Sequence, residues 1–269
     1  MNLPQCTNLE LRLDAGVLHV TFNRPESRNA MSSRMLDELL ATFDAIAEDR
    51  SVRVVVLRGK GGNFCAGGDI KEMASVRASL GSVEGDPVAA HNRKFGTMLE
   101  RVNGAPQATV AVLEGAVLGG GFGLACITDV AIARKDASFG LPETGIGLFP
   151  AQIAPFVVQR IGLSQARRLG VCGPRFDGAE ALRLGLVHLL AESEDGIDEH
   201  LRTTLSQIRR CAPGANAATK AIMLASLRMD LGELLDEAAR RFSETSRSPE
   251  AAEGAMAFLE KRKPSWAKD

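Results

Sequence analysis

Residues 108–133 read ATVAVLEGAVLGGGFGLACITDVAIA, and this stretch decides the fold. From Ala108 to Ile127 it is about as long as a membrane span and carries one charge, Glu114. Five glycines interrupt it, and neither a second apolar span nor a charged flank accompanies it, so a membrane helix is the poorer reading. The stretch instead predicts a buried strand over 108–113, a turn, and a buried helix opening at Gly119-Gly120-Gly121, with Val130-Ala131-Ile132-Ala133 as the next strand.

The same order appears upstream. Val17-Leu18-His19-Val20-Thr21-Phe22 alternates as a half-buried strand does, and Asn23-Arg24-Pro25-Glu26 breaks it. From Ser32, a candidate N-cap, the apolar residues Leu36, Leu39, Leu40, Phe43 and Ile46 recur at helical steps on one face. Val52 to Leu57 is a short valine-rich strand bounded by Gly59, Gly61 and Gly62. Strands alternating with helices predict an α/β architecture. Ser75 to Asp86, with three serines and two glycines, reads as a loop beside the site. Beyond Ile197 only helical patterns remain, with Pro213-Gly214 opening one helix and Ser248-Pro249-Glu250 another. The expected division is an α/β core over 1–195 and a helical region over 196–269. The latter carries Ile222, Leu224 and Leu227, to be packed on a neighbouring subunit or on its own core.

Composition excludes several classes. The 269 residues are 45% hydrophobic and 24% charged, with a net charge of −1, enough for a sizeable core without disulfides or a structural metal. The 32 basic and 33 acidic side chains are interspersed, which gives no platform for nucleic acid. Five scattered cysteines lack metal-ligand spacing, so no metal site is expected and the thiols read as reduced, as in a cytoplasmic protein. Met1 to Arg12 has polar and acidic residues where an export signal carries a basic stretch and an apolar block.

The glycine clusters are the densest chemical signal. Gly62-x4-Gly67 is followed by Gly68 where a P-loop needs lysine, and no triplet has the spacing of a dinucleotide fingerprint. What remains is a glycine turn after a strand, Ala66-Gly67-Gly68-Asp69, and a glycine-rich helix start, Gly119-Gly120-Gly121. Glycine lets a ligand approach the main chain, and a helix start offers unpaired donors. Two such donors on one carbonyl oxygen make an oxyanion hole.

These residues resemble the crotonase, or enoyl-CoA hydratase/isomerase, superfamily. Asn23-Arg24-Pro25…Asn29-Ala30 is similar to its first loop, and Phe64-Cys65-Ala66-Gly67-Gly68-Asp69-Ile70 to its F-x-A-G-x-D-[IL] motif. Gly115-Ala116-Val117-Leu118-Gly119-Gly120-Gly121 is similar to its second glycine block. Asp129 to Ala133, Phe139-Gly140-Leu141-Pro142-Glu143, Gly173-x-Arg175, Ala181-x3-Gly185-Leu186-Val187 and Phe258-x-Glu260-Lys261-Arg262 follow in order, so the resemblance runs from about residue 9 to 263. It implies a repeated ββα spiral with a helical C-terminal region used in assembly as a homotrimer or a hexamer of paired trimers. It also implies coenzyme A as part of a thioester substrate, with no prosthetic group. By motif position, the N–H groups of Gly68 and Gly120 hold the thioester oxygen, and Ser27, Arg28, Ala66, Gly67, Asp69 and Ile70 line the CoA channel. Phe242 and Lys261 match positions that reach the nucleotide of a neighbour's ligand.

The carboxylates depart from the pattern. The hydratase resemblance implies one glutamate two residues after the third glycine and another after the proline of Pro142-Glu143; the first position here is Gly123. Glu143 is then the sole acid/base candidate. Flanked by Phe139, Leu141, Ile146, Leu148 and Phe149, in an apolar pocket it has a raised pKa. Met73, Leu141, Phe149 and the Ser75 to Asp86 loop are the candidates for shaping the acyl pocket. One carboxylate suits a 3,2-enoyl-CoA isomerase, shuttling a proton between C2 and C4. The whole chain is nevertheless similar to a branch that hydrates isohexenylglutaconyl-CoA, a branched, carboxylate-bearing thioester of bacterial acyclic-terpene degradation. A hydratase then needs its water held by Gln152, by a backbone group or by the substrate's own carboxylate. The third reading is a non-catalytic CoA- or RNA-binding relative. His91 reads as a surface helix residue, Glu114 as facing either pocket or solvent, Asp129 as fixing a strand start, and Asp69 as ordering its turn.

Overall fold

The computed structural model of the chain describes residues 2–81 and 85–267. It opens with an antiparallel hairpin, β1 (Leu9–Asp14) and β2 (Val17–Phe22), turning through Ala15 and Gly16 at positive φ. The first crossover is α1 (Ser33–Ile46). Ser32 caps it by accepting from the Met35 N–H at 3.2 Å, and Met35, Leu36, Leu39, Phe43 and Ile46 form its buried face. It delivers β3 (Val54–Gly59) in parallel onto β2. Then α2 (Ile70–Ala78) and α3 (Pro87–Asn103) lead to β4 (Ala108–Leu113), parallel to β3.

The chain next makes the short strand β5 (Ala116–Leu118), the helix α4 (Gly120–Cys126) and the strand β6 (Val130–Arg134), which pairs with β4. This is the strand, turn, helix and strand predicted from 108–133. Another short strand, β7 (Ser138–Gly140), pairs with β5; α5 (Ala154–Cys172) and α6 (Gly178–Arg183) then precede β8 (Leu189–Ala191), which closes the sheet beside β6. The large sheet thus has the order β1-β2-β3-β4-β6-β8. A second layer consists of β5 and β7, extended by the single bridges Met31–Gly68, Cys65–Val117 and Phe139–Phe176. Each turn of the chain adds a long strand to one layer and a short extended piece to the other, which is the ββα spiral.

Apolar clusters cover both faces of the large sheet. On one, Leu18, Val20, Phe22, Val55, Leu57, Ala111 and Leu113 pack with Phe64, Phe122 and Phe139. Fully burying each large apolar side chain contributes about 1.5–3 kcal/mol. On the other, Val17, Val54, Val56, Val110, Val112 and Ile132 pack against Ile197 of α7 (Glu194–Arg209). Both faces being covered explains why β3 and β4 read as valine runs instead of alternating.

Two elements differ from expectation. Ser75 to Ala78 belong to α2, because the Asp69 carboxylate accepts from the N–H groups of Lys71 and Glu72 and starts the helix despite its lack of a buried face. The rest of that expected loop includes Ser82 to Glu84, which lie outside the described residues. The expected division at 195 falls inside the first turn of α7, which is docked on the sheet. Helices without a buried face begin later. Neither α8 (Pro213–Ala225) nor α9 (Leu231–Ser246) buries a residue, and α10 (Pro249–Leu259) buries only Ala257. They are tied on by polar contacts, among them Lys220 Nζ to Asp129 at 2.9 Å and Arg53 Nη2 to the Cys211 carbonyl at 2.6 Å.

One buried polar residue joins three loops. Asn29, fully buried at a φ of +57°, accepts from the Arg24 N–H at 2.9 Å and donates to the carbonyls of Lys60 at 2.9 Å and Asn63 at 2.6 Å. Replacing Asn29 with Ala strands these three backbone groups and is expected to cost about 2–4 kcal/mol, read as a lower urea midpoint at unchanged m-value.

Candidate active site

The two glycine turns meet where the short-strand layer ends. The Cys65 N–H donates to the Ala116 carbonyl at 2.9 Å and the Leu118 N–H to the Cys65 carbonyl at 3.0 Å, which lays the first turn along β5. Gly67 has a φ of +101°, and a Cβ there would stand 3.2 Å from the Leu118 carbonyl oxygen. Met31 then holds both neighbours of Gly68: its N–H donates to the Gly67 carbonyl at 2.8 Å, and its carbonyl accepts from the Asp69 N–H at 3.0 Å. The Gly68 N–H is left facing the other way, exposed and with no acceptor among the described residues.

The second turn frees its own donor. Gly119, at φ +48° and ψ −117°, donates to the Gly140 carbonyl at 3.0 Å and swings the chain into α4. Gly120 is the first residue of α4, so its N–H has no acceptor within the helix. A Cβ on Gly120 would lie 3.8 Å from the Gly67 carbonyl carbon, the atom bonded to the Gly68 nitrogen. A Cβ on Gly67 would in turn lie 3.7 Å from the Gly120 nitrogen, so the two glycine turns lie against each other. At the far end of α4, Arg160 donates to the carbonyls of Ala125 at 3.2 Å and Thr128 at 2.7 Å, a cation at the negative end of the helix.

Glu143 stands beside this helix start. It begins a 3-10 turn over Glu143–Ile146, and its Oε1 lies 2.8 Å from where a Cβ on Gly119 would be. Its Oε2 is buried with no hydrogen-bond partner. Burial raises its pKa above the ordinary carboxylate value, while a backbone hydrogen bond and the charge of Arg175 oppose the rise. The expected apolar flanks divide. Phe139 and Leu141 are buried, but Ile146, Leu148 and Phe149 are exposed, Phe149 at 73%. The turn after Glu143 leaves those three facing off the single chain.

Gly123 is not an empty slot. A Cβ there would stand 2.1 Å from Ile153 Cγ2, and Ile153 is buried. An apolar side chain from the start of α5 thus occupies the space at position 123. Gln152, the preceding residue, reaches α3 and donates to Asn92 Oδ1 at 2.8 Å. Phe95 of the same helix lies 3.1 Å from the Cβ position of Gly120. Phe95, Ile153 and Arg160 carry no local motif, so sequence reasoning misses them; each matters through a partner distant in the chain.

The other predicted residues divide in the same way. Ser27, in the 3-10 turn Pro25–Ser27, and the exposed Arg28 flank the first turn, where the Ala66 N–H donates to the Arg28 carbonyl at 3.0 Å. Ile70 is 67% exposed at the mouth of that turn, and the Sδ of Met73 lies 3.2 Å from the Cβ position of Gly68. Asp69 is committed to structure, capping α2 and pairing with Arg24 at 2.9 Å. Burial would raise its pKa, but the Arg24 hydrogen bond and charge, with the cap amides, hold it below the ordinary value. Phe242, 76% exposed on α9, and Lys261, just beyond α10, make no hydrogen bond or ion pair with these loops among the described residues.

Other polar groups are already engaged. His91 lies on α3 as the surface-helix reading has it, half-buried, with Nδ1 3.0 Å from Ser33 Oγ. Glu114 pairs with Arg58 at 2.7 Å, and Asp129 accepts from the Thr109 N–H at 2.7 Å. What the described residues offer here is two main-chain N–H groups without acceptors and one partly desolvated carboxylate near them. That set polarises a carbonyl and moves a proton at the neighbouring carbon.

The family model described as enoyl-CoA hydratase/isomerase matches residues 12–269. The chain is 33% identical over 259 residues to a probable enoyl-CoA hydratase of Bacillus subtilis (strain 168), covering 96% of this chain and 98% of that protein. It is 32% identical to the mitochondrial methylglutaconyl-CoA hydratase of Mus musculus, over 93% of this chain and 79% of that one. Among solved structures, Pseudomonas aeruginosa AtuE superposes with a TM-score of 0.94 at 58% identity, covering 97% of this chain and all of that one, 100%.

The raised carboxyl has a thermodynamic signature. The unfolded chain releases this proton first, so native stability falls as pH rises from the unfolded pKa through the folded one, and the loss then stays constant. Glu143→Gln removes that loss. The variant is expected to be more stable than wild type at neutral pH and to converge with it below about pH 4, as measured by urea unfolding across that range.

Proposed function

The chain belongs to the enoyl-CoA hydratase/isomerase family, and on that premise we propose that it adds water across the 2,3 double bond of an enoyl-CoA thioester. The observation that carries the reading is the pair of unspent N–H groups at Gly68 and Gly120 beside the buried, unpartnered carboxylate oxygen of Glu143. The thioester oxygen sits between the two donors. As water attacks the β-carbon, charge moves onto that oxygen, and each donor is worth about 2.7–4 kcal/mol of transition-state stabilisation. Glu143 takes a proton from water as its oxygen bonds to the β-carbon, then delivers a proton to Cα, so H and OH add in balance. No prosthetic group takes part, and coenzyme A enters with the substrate.

Ser27, Arg28, Ala66, Gly67, Asp69 and Ile70 frame the CoA channel in this reading, with Asp69 acting through its turn. Phe242 and Lys261 serve a neighbour's ligand in a homotrimer or a pair of trimers. Support for that assembly comes from α8 and α9, which bury no residue and expose Met223, Leu231, Leu235 and Phe242. A cleft of about 630 Å³ beside them is lined by Pro106, Leu224 and Arg241.

The acyl group in this proposal is branched and carries a carboxylate, with isohexenylglutaconyl-CoA of acyclic-terpene catabolism as the specific candidate. Arg175 supports an anionic tail: its charge acts on Glu143, and it has no hydrogen-bond or ion-pair partner among the described residues. The second reading, a 3,2-enoyl-CoA isomerase, is favoured by the apolar occupation of position 123, which leaves one carboxylate to shuttle between C2 and C4.

Separate incubations distinguish the two. A 2-enoyl-CoA is expected to lose its conjugated absorbance and a 3-enoyl-CoA to gain none; the opposite pattern selects the isomerase, and inertness toward both selects a binding protein. Glu143→Gln is expected to lower turnover about 10²- to 10⁴-fold with acyl-CoA affinity retained; hydration at the wild-type rate removes Glu143 from the mechanism. Sedimentation equilibrium is expected to find three or six chains per particle.

A further inference from the structure

Hydration needs more than a base. The attacking oxygen must point a lone pair at the β-carbon, and a water held by Glu143 alone keeps its freedom to pivot. A helical side chain at 123 would sit one turn along from Gly119 and Gly120, yet Ile153 fills that face. His91 is engaged by Ser33, Asp69 by Arg24 and the helix cap, and Glu114 by Arg58.

Gln152 is mounted differently. The backbone that seats Ile153 on α4 carries Gln152 onto α3, where its Nε2 donates to Asn92 Oδ1 at 2.8 Å. Its Oε1 is packed so closely over Gly96 that a Cβ there would lie 2.0 Å away. The residue before Gly96 is Phe95, whose ring borders Gly120 at 3.1 Å from its Cβ position. The amide is thereby fixed to the same turn of α3 that roofs the oxyanion donor. Gln152 Oε1 and Asn92 Nδ2 have no partner among the described residues, and neither is a sealed atom. Together they offer a free acceptor and a free donor, which match a water molecule and cannot deprotonate it.

We propose that the Gln152–Asn92 amide pair holds the water that attacks the β-carbon, leaving Glu143 as the only base. The proposal rests on the hydratase reading above. In the step, the water oxygen bonds to the β-carbon, its proton passes to Glu143, and Glu143 returns a proton to Cα. The amides change neither charge nor bonding.

The test separates water placement from enolate chemistry. Gln152→Leu is expected to lower kcat for hydration about 10²-fold with KM nearly unchanged. Deuterium incorporation at Cα of a saturated acyl-CoA, which needs Gly68, Gly120 and Glu143 but no attacking water, is expected to stay at the wild-type rate. Gly96→Ala, which pushes the Gln152 amide aside without removing it, is expected to show the same split. Hydration by Gln152→Leu at the wild-type rate overturns the proposal, as does an equal fall in hydration and exchange. A wild-type enzyme that hydrates no enoyl thioester overturns the hydratase reading instead, and this proposal with it.

Discussion

Met31 grips the peptide chain on both sides of Gly68, accepting from Asp69 at 3.0 Å and donating to Gly67 at 2.8 Å. Because in this parallel bridge Met31 uses its own N–H and carbonyl while Gly68 is held through the groups on either side of it, the clamp leaves the Gly68 N–H unused. It costs the fold a backbone donor that most proteins pair internally. The rest of the molecule keeps that donor in place: Asn29 ties the Met31 loop to Lys60 and Asn63, Cys65 pairs with β5, and Asp69 anchors the far side through α2 and Arg24.

The second donor depends on a helix held at both ends. Gly119 hydrogen-bonds β7 and starts α4, while Arg160 closes the other end on the carbonyls of Ala125 and Thr128. The absence of a side chain at 119 also makes room for Glu143, whose Oε1 occupies the volume a Cβ would need. The free start of α4 and the place of the Glu143 carboxylate thus share one constraint, and the partial burial that raises the Glu143 pKa goes with the same close approach.

Site and C-terminal helices are built on different terms. The sheet and its covering helices are sealed by apolar packing, whereas α8, α9 and α10 hold on through polar ties and leave Leu231, Phe242 and Phe258 in solvent. Ile146, Leu148 and Phe149, which follow Glu143 in the chain, are likewise exposed, so the 3-10 turn gives the carboxylate no apolar cover from them.

Local chemistry in the sequence determined much of this. The Ser32 cap and the helical period after it, the strand, turn and helix within 108–133, and the glycine turns at 67–68 and 119–121 each depend on neighbours a few residues away, and each is where the sequence put it. β1 escaped notice because most of its residues face outward, and β5 and β7 because three residues are too few to show a period. Tertiary structure alone decided the rest. That Ile153 fills the space at Gly123, that Glu143 lies against Gly119, and that Gln152 is pinned between Asn92 and Gly96 are contacts between residues 24 to 60 positions apart. No pattern along the chain encodes them, since they arise from close packing in three dimensions, where whether a position is open or filled depends on what the fold brings against it.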